Sequence, residues 1–178
     1  MSRTGYQNIT LVLGGARSGK SSYAEKLIIA AGTERVYVAT AVQCDTEMGA
    51  RIAAHRQRRG VGWTTVEAPR FGPKDVVALP AGQPVLFDCL TLWLAAAMEA
   101  EADWAAETTA LIDALASHNA PVVMVSNELG MGLVPETPLG RRFRDAQGTV
   151  NQMVAAQASR VVFVAAGLPL SLKGAGPS

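Results

Sequence analysis

The 178 residues predict an α/β fold in which a mostly parallel sheet is flanked by helices. Two patterns lead to it. Short apolar runs at 9–13, 36–39, 85–87, 122–125 and 161–166 are continuous rather than alternating, as strands covered on both faces are. Between them lie longer stretches of helical makeup, so strand and helix alternate along the chain as in stacked βαβ units. Ligands of such sheets sit beyond the carboxyl ends of the strands, which directs attention to the segments that follow each apolar run.

Taken in order, Ile9–Leu13 is the first strand, and Lys20–Ala31 the helix after its glycines. Val36–Ala39 is the second strand. A helix over Glu47–Arg59 follows, with Asp45 available as its cap and Glu47 in its first turn. Ala68–Gly82 is a loop with at most a short helix, because Pro69, Pro73 and Pro80 interrupt any longer pattern. After the strand Val85–Phe87, Leu90–Ser117 is helical as one helix or two. Val122–Val125 and Val161–Ala166 are the last strands, separated by a loop and a helix over Gly140–Ala158. Gly167–Ser178 reads as a closing segment and frayed end. No repeat or low-complexity block occurs, and the length fits a single domain over 1–178 with its core at about 8–173.

Composition excludes several functions. Hydrophobic residues make up 49% and charged residues 17%, so disorder is excluded. A net charge of +1, from sixteen basic and fifteen acidic residues, argues against nucleic-acid or membrane-surface binding by bulk electrostatics. Any anion must be gripped locally. Cys44 and Cys89 form no CxxC and accompany no paired histidines, so neither a disulfide framework nor a zinc site is expected. The apolar stretch at 9–13 is too short for a signal peptide, and no run suits a membrane span. A cytoplasmic protein is expected.

Gly14-Gly15-Ala16-Arg17-Ser18-Gly19-Lys20-Ser21 matches G-x-x-x-x-G-K-[ST] at every fixed position, after a strand and before a helix. Glycines let successive N–H groups face one anion, and the helix N-terminus adds its partial positive charge. Lys20 would bridge the β- and γ-phosphates of a nucleotide, while Ser21 would ligate Mg²⁺. This context favours a nucleotide site over a plain glycine turn. Asp88 ends the run Val85-Leu86-Phe87 and is the candidate carboxylate for the Mg²⁺ shell; a helix cap is its other reading.

Of the two histidines, His118 closes a helical stretch and is structural or exposed. His55 shares a helix face with Arg51, and Arg58 and Arg59 follow within one turn. Neutral imidazole is a competent nucleophile, and guanidinium groups attract phosphate, yet a lone histidine on a basic face is ordinarily just solvated. The residues alone leave that second reading ahead. Tyr6, Trp93 and Trp104 are assigned to packing.

Several segments together resemble the bifunctional adenosylcobinamide kinase / adenosylcobinamide-phosphate guanylyltransferase family. They are Leu13–Ser21, Tyr37–Thr40, Glu47–Arg56, Trp63–Glu67, Val125–Pro135, Gly140–Asp145 and Val150–Gln152, spread over Thr10 to Lys173. The resemblance implies a RecA-like P-loop fold and two reactions at one nucleotide site. In the first, the terminal phosphoryl of ATP or GTP passes to the aminopropanol hydroxyl of adenosylcobinamide. In the second, a histidine displaces pyrophosphate from GTP and hands GMP to the cobinamide phosphate. That histidine falls on His55, preceded here by Ala54 where members can carry a second histidine. Val38, Ala39, Thr40, Arg56, Gln57, Arg58, Glu67 and Asp88 are implied to line the guanine nucleotide site; at Asp88 members can carry Glu. A homotrimer is implied as well. The loop Asn127–Pro138 is expected to form a corrinoid-facing rim with Glu128 as its most useful side chain, although Gly130 and Gly132 also suit plain turns. Arg141, Arg142 and Arg144 could meet substrate phosphate, a neighbouring subunit or only solvent. A single-function P-loop small-molecule kinase and a RecA-like ATPase or nucleic-acid module are the rival readings.

Overall fold

A computed structural model describes residues 6–41 and 60–174. Their strands form one seven-stranded sheet in the order β3-β2-β4-β5-β1-β6-β7. The strands are β1 (Tyr6–Gly14), β2 (Arg35–Ala39), β3 (Trp63–Glu67), β4 (Val85–Asp88), β5 (Val122–Asn127), β6 (Ala158–Ala165) and β7 (Leu168–Lys173). All neighbours are parallel except β6 and β7. The helices are α1 (Lys20–Ala31), α2 (Pro73–Val77), α3 (Leu90–Glu99), α4 (Trp104–Ala116) and α5 (Pro138–Gln157). The helix expected over 47–59, with His55, Arg56, Gln57 and Arg58, lies outside the described residues.

The central strands are buried on both sides, as their continuous apolar runs require. Alternate residues split into two cores. Ile9, Leu11, Leu13, Val85, Phe87, Val122 and Met124 face the side covered by α2, α3, α4 and α5. Val12, Leu86, Val123, Val125 and Val162 face α1 through Ala24 and Ile28. This parity fixes which side of the sheet each residue at a strand end shares.

Of the two alternatives for Leu90–Ser117 the chain takes two helices, with Asp103 capping α4 by accepting from the Ala106 amide at 3.1 Å. Two features differ from the sequence expectation. Trp63–Glu67 is an edge strand whose residues are half-buried or exposed, so it has no apolar run to announce it. The closing segment is β7, which forms a hairpin with β6 through Ala166 and Gly167, at φ 52° and 79°. These are the left-handed conformations a two-residue hairpin turn needs. Pro169 sits in β7, where an edge strand tolerates a missing donor.

Trp93 is buried and its indole N–H donates to the Phe71 carbonyl at 2.9 Å, while Trp104 packs half-buried on the same core. Tyr6 is not a core residue: it is exposed and its hydroxyl donates to Asp113 of α4 at 2.9 Å. His118 is buried, with its Nε2 2.8 Å from the Gln83 carbonyl, which makes it structural.

Asn8 ties the sheet to the end of α4. Its amide donates to the carbonyls of Leu115, His118 and Ala120 at 3.0, 2.8 and 3.3 Å, which gather at and just beyond the helix end. Asn8→Ala is expected to cost roughly 1–3 kcal/mol and to lower Tm by about 2–8 °C. A calorimetric scan checks this; an unchanged Tm would deny the tie any weight.

Candidate nucleotide site

At the carboxyl end of β1 the chain curls at Gly14 and enters α1 at Lys20. Gly19 carries φ 93° and Arg17 φ 58°, and the Ser18 amide donates back to the Gly15 carbonyl at 3.3 Å. The curl is held from two sides. The Glu128 amide, just past β5, donates to the Gly14 carbonyl at 3.1 Å, and the Gly167 amide of the β6–β7 turn donates to the Ser18 carbonyl at 2.8 Å.

Gly14 has no room for a side chain. A Cβ there would lie 2.5 Å from both the Ser18 Oγ and the Val164 carbonyl oxygen, whereas one on Gly15 would meet nothing within 4 Å among the described residues. Among the described residues the buried Ser18 Oγ has no hydrogen-bond partner. An orphaned hydroxyl costs free energy unless something supplies a partner, and an anion held by the loop would do so. Lys20 Nζ donates to the Gly15 carbonyl at 3.1 Å, which places the ammonium against the same loop.

Asp88 ends β4, two strands from β1, and its Oδ2 accepts from the Tyr37 hydroxyl at 2.9 Å. It does not cap α3, whose cap position is Cys89. The Cys89 thiol is pushed up to about 11 by burial and by the Asp88 charge, so it stays neutral and inert at pH 7. Thr40 is buried and grips this junction: its Oγ1 donates to the Cys89 carbonyl at 2.8 Å and accepts from the Cys89 amide at 2.7 Å.

Ser21 and Asp88 are the groups that could hold Mg²⁺. Among the described residues no three His, Cys, Asp or Glu side chains cluster as metal ligands. Two oxygen donors at a phosphate loop fit an ion that keeps waters and takes its remaining ligands from phosphate.

The other implied residues spread along the edge. Val38 is buried in the core, so of Val38, Ala39 and Thr40 only Ala39 and the backbone can face a ligand. Glu67 pairs with Ala39 in register at the end of β3, four strand positions from Gly14, or about 19 Å. Glu128 shapes its own loop, its carboxylate accepting from the Gly130 and Met131 amides at 2.6 and 3.1 Å. Arg141 is likewise occupied, donating to the Pro135 and Glu136 carbonyls at 2.9 and 2.7 Å, and Arg144 pairs with Asp145. Two features of the site escaped sequence reasoning: the β6–β7 turn, signalled only by Ala166-Gly167 after an apolar run, and a polar chain joining Ser126 to Gln147 and Asn151 on the inner side of α5.

Residues 10–172 match the family described as cobinamide kinase / cobinamide phosphate guanyltransferase. The bifunctional adenosylcobalamin biosynthesis protein CobP of Pseudomonas aeruginosa is 43% identical over 92% of this chain and 96% of its own. The proteins named CobU from Escherichia coli and Salmonella typhimurium are each 40% identical, over 92% of this chain and 98% of theirs. Among solved structures the RadB recombinase aligns with a TM-score of 0.53 at 16% identity, over 90% of this chain and 75% of its own, a likeness of RecA-like fold alone.

Gly14→Ala is expected to destabilise the chain by roughly 1–3 kcal/mol through overpacking, whereas Gly15→Ala should leave Tm unchanged. Thermal melts of the two variants check the contrast, and equal melts would contradict the crowding at Gly14.

Proposed function

The chain belongs to the cobinamide kinase / cobinamide phosphate guanyltransferase family, and we propose that it runs both reactions at the carboxyl edge of its sheet. It is a transferase of cobalamin biosynthesis, a kinase and a nucleotidyltransferase. One observation carries the site: a complete phosphate-loop motif stands between strand and helix, with a buried hydroxyl that has no partner among the described residues.

In the kinase step the aminopropanol hydroxyl of adenosylcobinamide attacks the γ-phosphorus of ATP or GTP. A P–O bond forms, the bond to the β–γ bridging oxygen breaks, the nucleoside diphosphate leaves and the hydroxyl proton passes to solvent. The amides of residues 15–21 cradle the phosphates, and Lys20 offsets the charge that builds on the bridge. Ser21 and Asp88 would hold Mg²⁺, which would neutralise phosphate charge.

In the transferase step a ring nitrogen of His55 bonds to the α-phosphorus of GTP as pyrophosphate leaves. An oxygen of the cobinamide phosphate then replaces that nitrogen, giving adenosyl-GDP-cobinamide. The imidazole departs readily once protonated, so one hard displacement becomes two easier ones. Arg51, Arg56 and Arg58 offset the charge, while Gln57, Glu67 and residues 38–40 take the guanine end.

Met131, Leu133 and Val134 are exposed on the loop after β5, an apolar rim suited to a corrinoid beside the phosphate loop. Leu168, Leu170 and Leu172 are exposed along β7, a surface that the subunit contacts of a homotrimer would cover. Location in the reducing cytoplasm belongs to the same proposal.

Incubation with GTP labelled at the α-phosphate and Mg²⁺ tests this reading. We expect acid-labile, base-stable label on His55. His55→Ala should abolish it and retain part of the cobinamide phosphorylation, and Lys20→Ala should slow both reactions at least ~100-fold. A folded wild type that phosphorylates cobinamide and takes no label would leave a kinase alone.

A further inference from the structure

β5 lies between the strand that delivers the phosphate loop and the strand that ends in Asp88, and its last residue is Asn127. Gly14 and Asn127 are register partners, and Asp88 is the partner of Val125. Strand parity puts Val125, Leu86 and Val12 on the α1 side of the sheet. Asn127, Asp88 and Gly14 are each two residues further along those strands, so all three face the side from which Lys20 begins α1.

The backbone of Asn127 is fixed on both sides. Its N–H donates to the Thr91 Oγ1 of α3 at 3.0 Å, and its carbonyl accepts from the Asn151 Nδ2 of α5 at 3.0 Å. Asn151 is fixed in turn: its Oδ1 accepts from the Ser126 Oγ at 2.6 Å and from the buried Gln147 Nε2 at 3.1 Å, and Gln147 also donates to Ser126 at 2.9 Å. Four side chains thus hold one peptide at the sheet edge. The carboxamide of Asn127 itself makes no hydrogen bond among the described residues.

The geometry points to Asn127 as a phosphate-reading residue, its carboxamide donating to the terminal phosphate of a nucleoside triphosphate seated on the loop. A neutral donor suits the place. It orients a phosphate oxygen without repelling the carboxylate of Asp88. Thr91, Ser126, Gln147 and Asn151 are positioning residues that keep this donor from swinging away.

The inference rests on the proposed nucleotide site, and equilibrium binding of GTP and GDP to the full chain with Mg²⁺ tests it without cobinamide. Asn127→Ala should keep the wild-type Tm, weaken GTP binding by about 10- to 100-fold and leave GDP binding within about threefold. Asn127→Asp, nearly isosteric, serves where the alanine variant folds poorly; it should weaken GTP more than GDP through charge repulsion. Unchanged GTP binding, or equal weakening of GTP and GDP, would overturn the assignment to the terminal phosphate while leaving the family reading intact. A wild type that binds neither nucleotide would sink both.

Discussion

The site depends on a space too small for a methyl group. At Gly14 the first strand must turn out of the sheet while the Ser18 hydroxyl and the Val164 carbonyl crowd the position where a Cβ would stand. Only a glycine lets the loop close there. The curl is then held by amides from both flanking strands, one after β5 and one in the β6–β7 turn. An anion site made of backbone N–H groups works only if those groups already point inward, since ordering them on binding would consume much of the gain.

The sheet order explains why the polar residues gather where they do. With β5 between β1 and β4, the loop, Asn127 and Asp88 line one edge on one face, and the helices α3 and α5 reach that edge from the other face through Thr91 and Asn151. Further along, Ala39 and Glu67 extend the edge away from the phosphate loop. A long substrate pair, a nucleotide and a corrinoid arm, fits an extended edge better than a closed pocket.

Much of this was legible in the sequence. Five continuous apolar runs gave the buried strands, because burial on both faces leaves no polar alternation, and the glycine-lysine motif located the phosphate loop. The two edge strands escaped because their residues face solvent: Thr64, Thr65 and Glu67 make β3 polar, and the alternating leucines of β7 contain Pro169. The loop contacts of Glu128 and Arg141 were hidden for another reason. Charged residues beside a site look free to meet a substrate in a sequence, yet here they also satisfy loop amides and carbonyls, and nothing in residue type reveals that second use. The support behind Asn127 was invisible because it joins residues of β5 to residues of α5 that are about one helix length away in the chain. His55, the residue on which the transferase reading turns, was found by resemblance and not by its surroundings.

The most direct measurement of the central claim is hydrogen exchange of the backbone amides with and without GTP and Mg²⁺. Slowed exchange at residues 15–21, the end of β5 and the Ala166-Gly167 turn, continuing along the carboxyl edge toward Ala39 and Glu67, is the result this account requires. Protection that bypasses those amides and appears at the opposite edge, around Asn8 and residues 118–121, would contradict it.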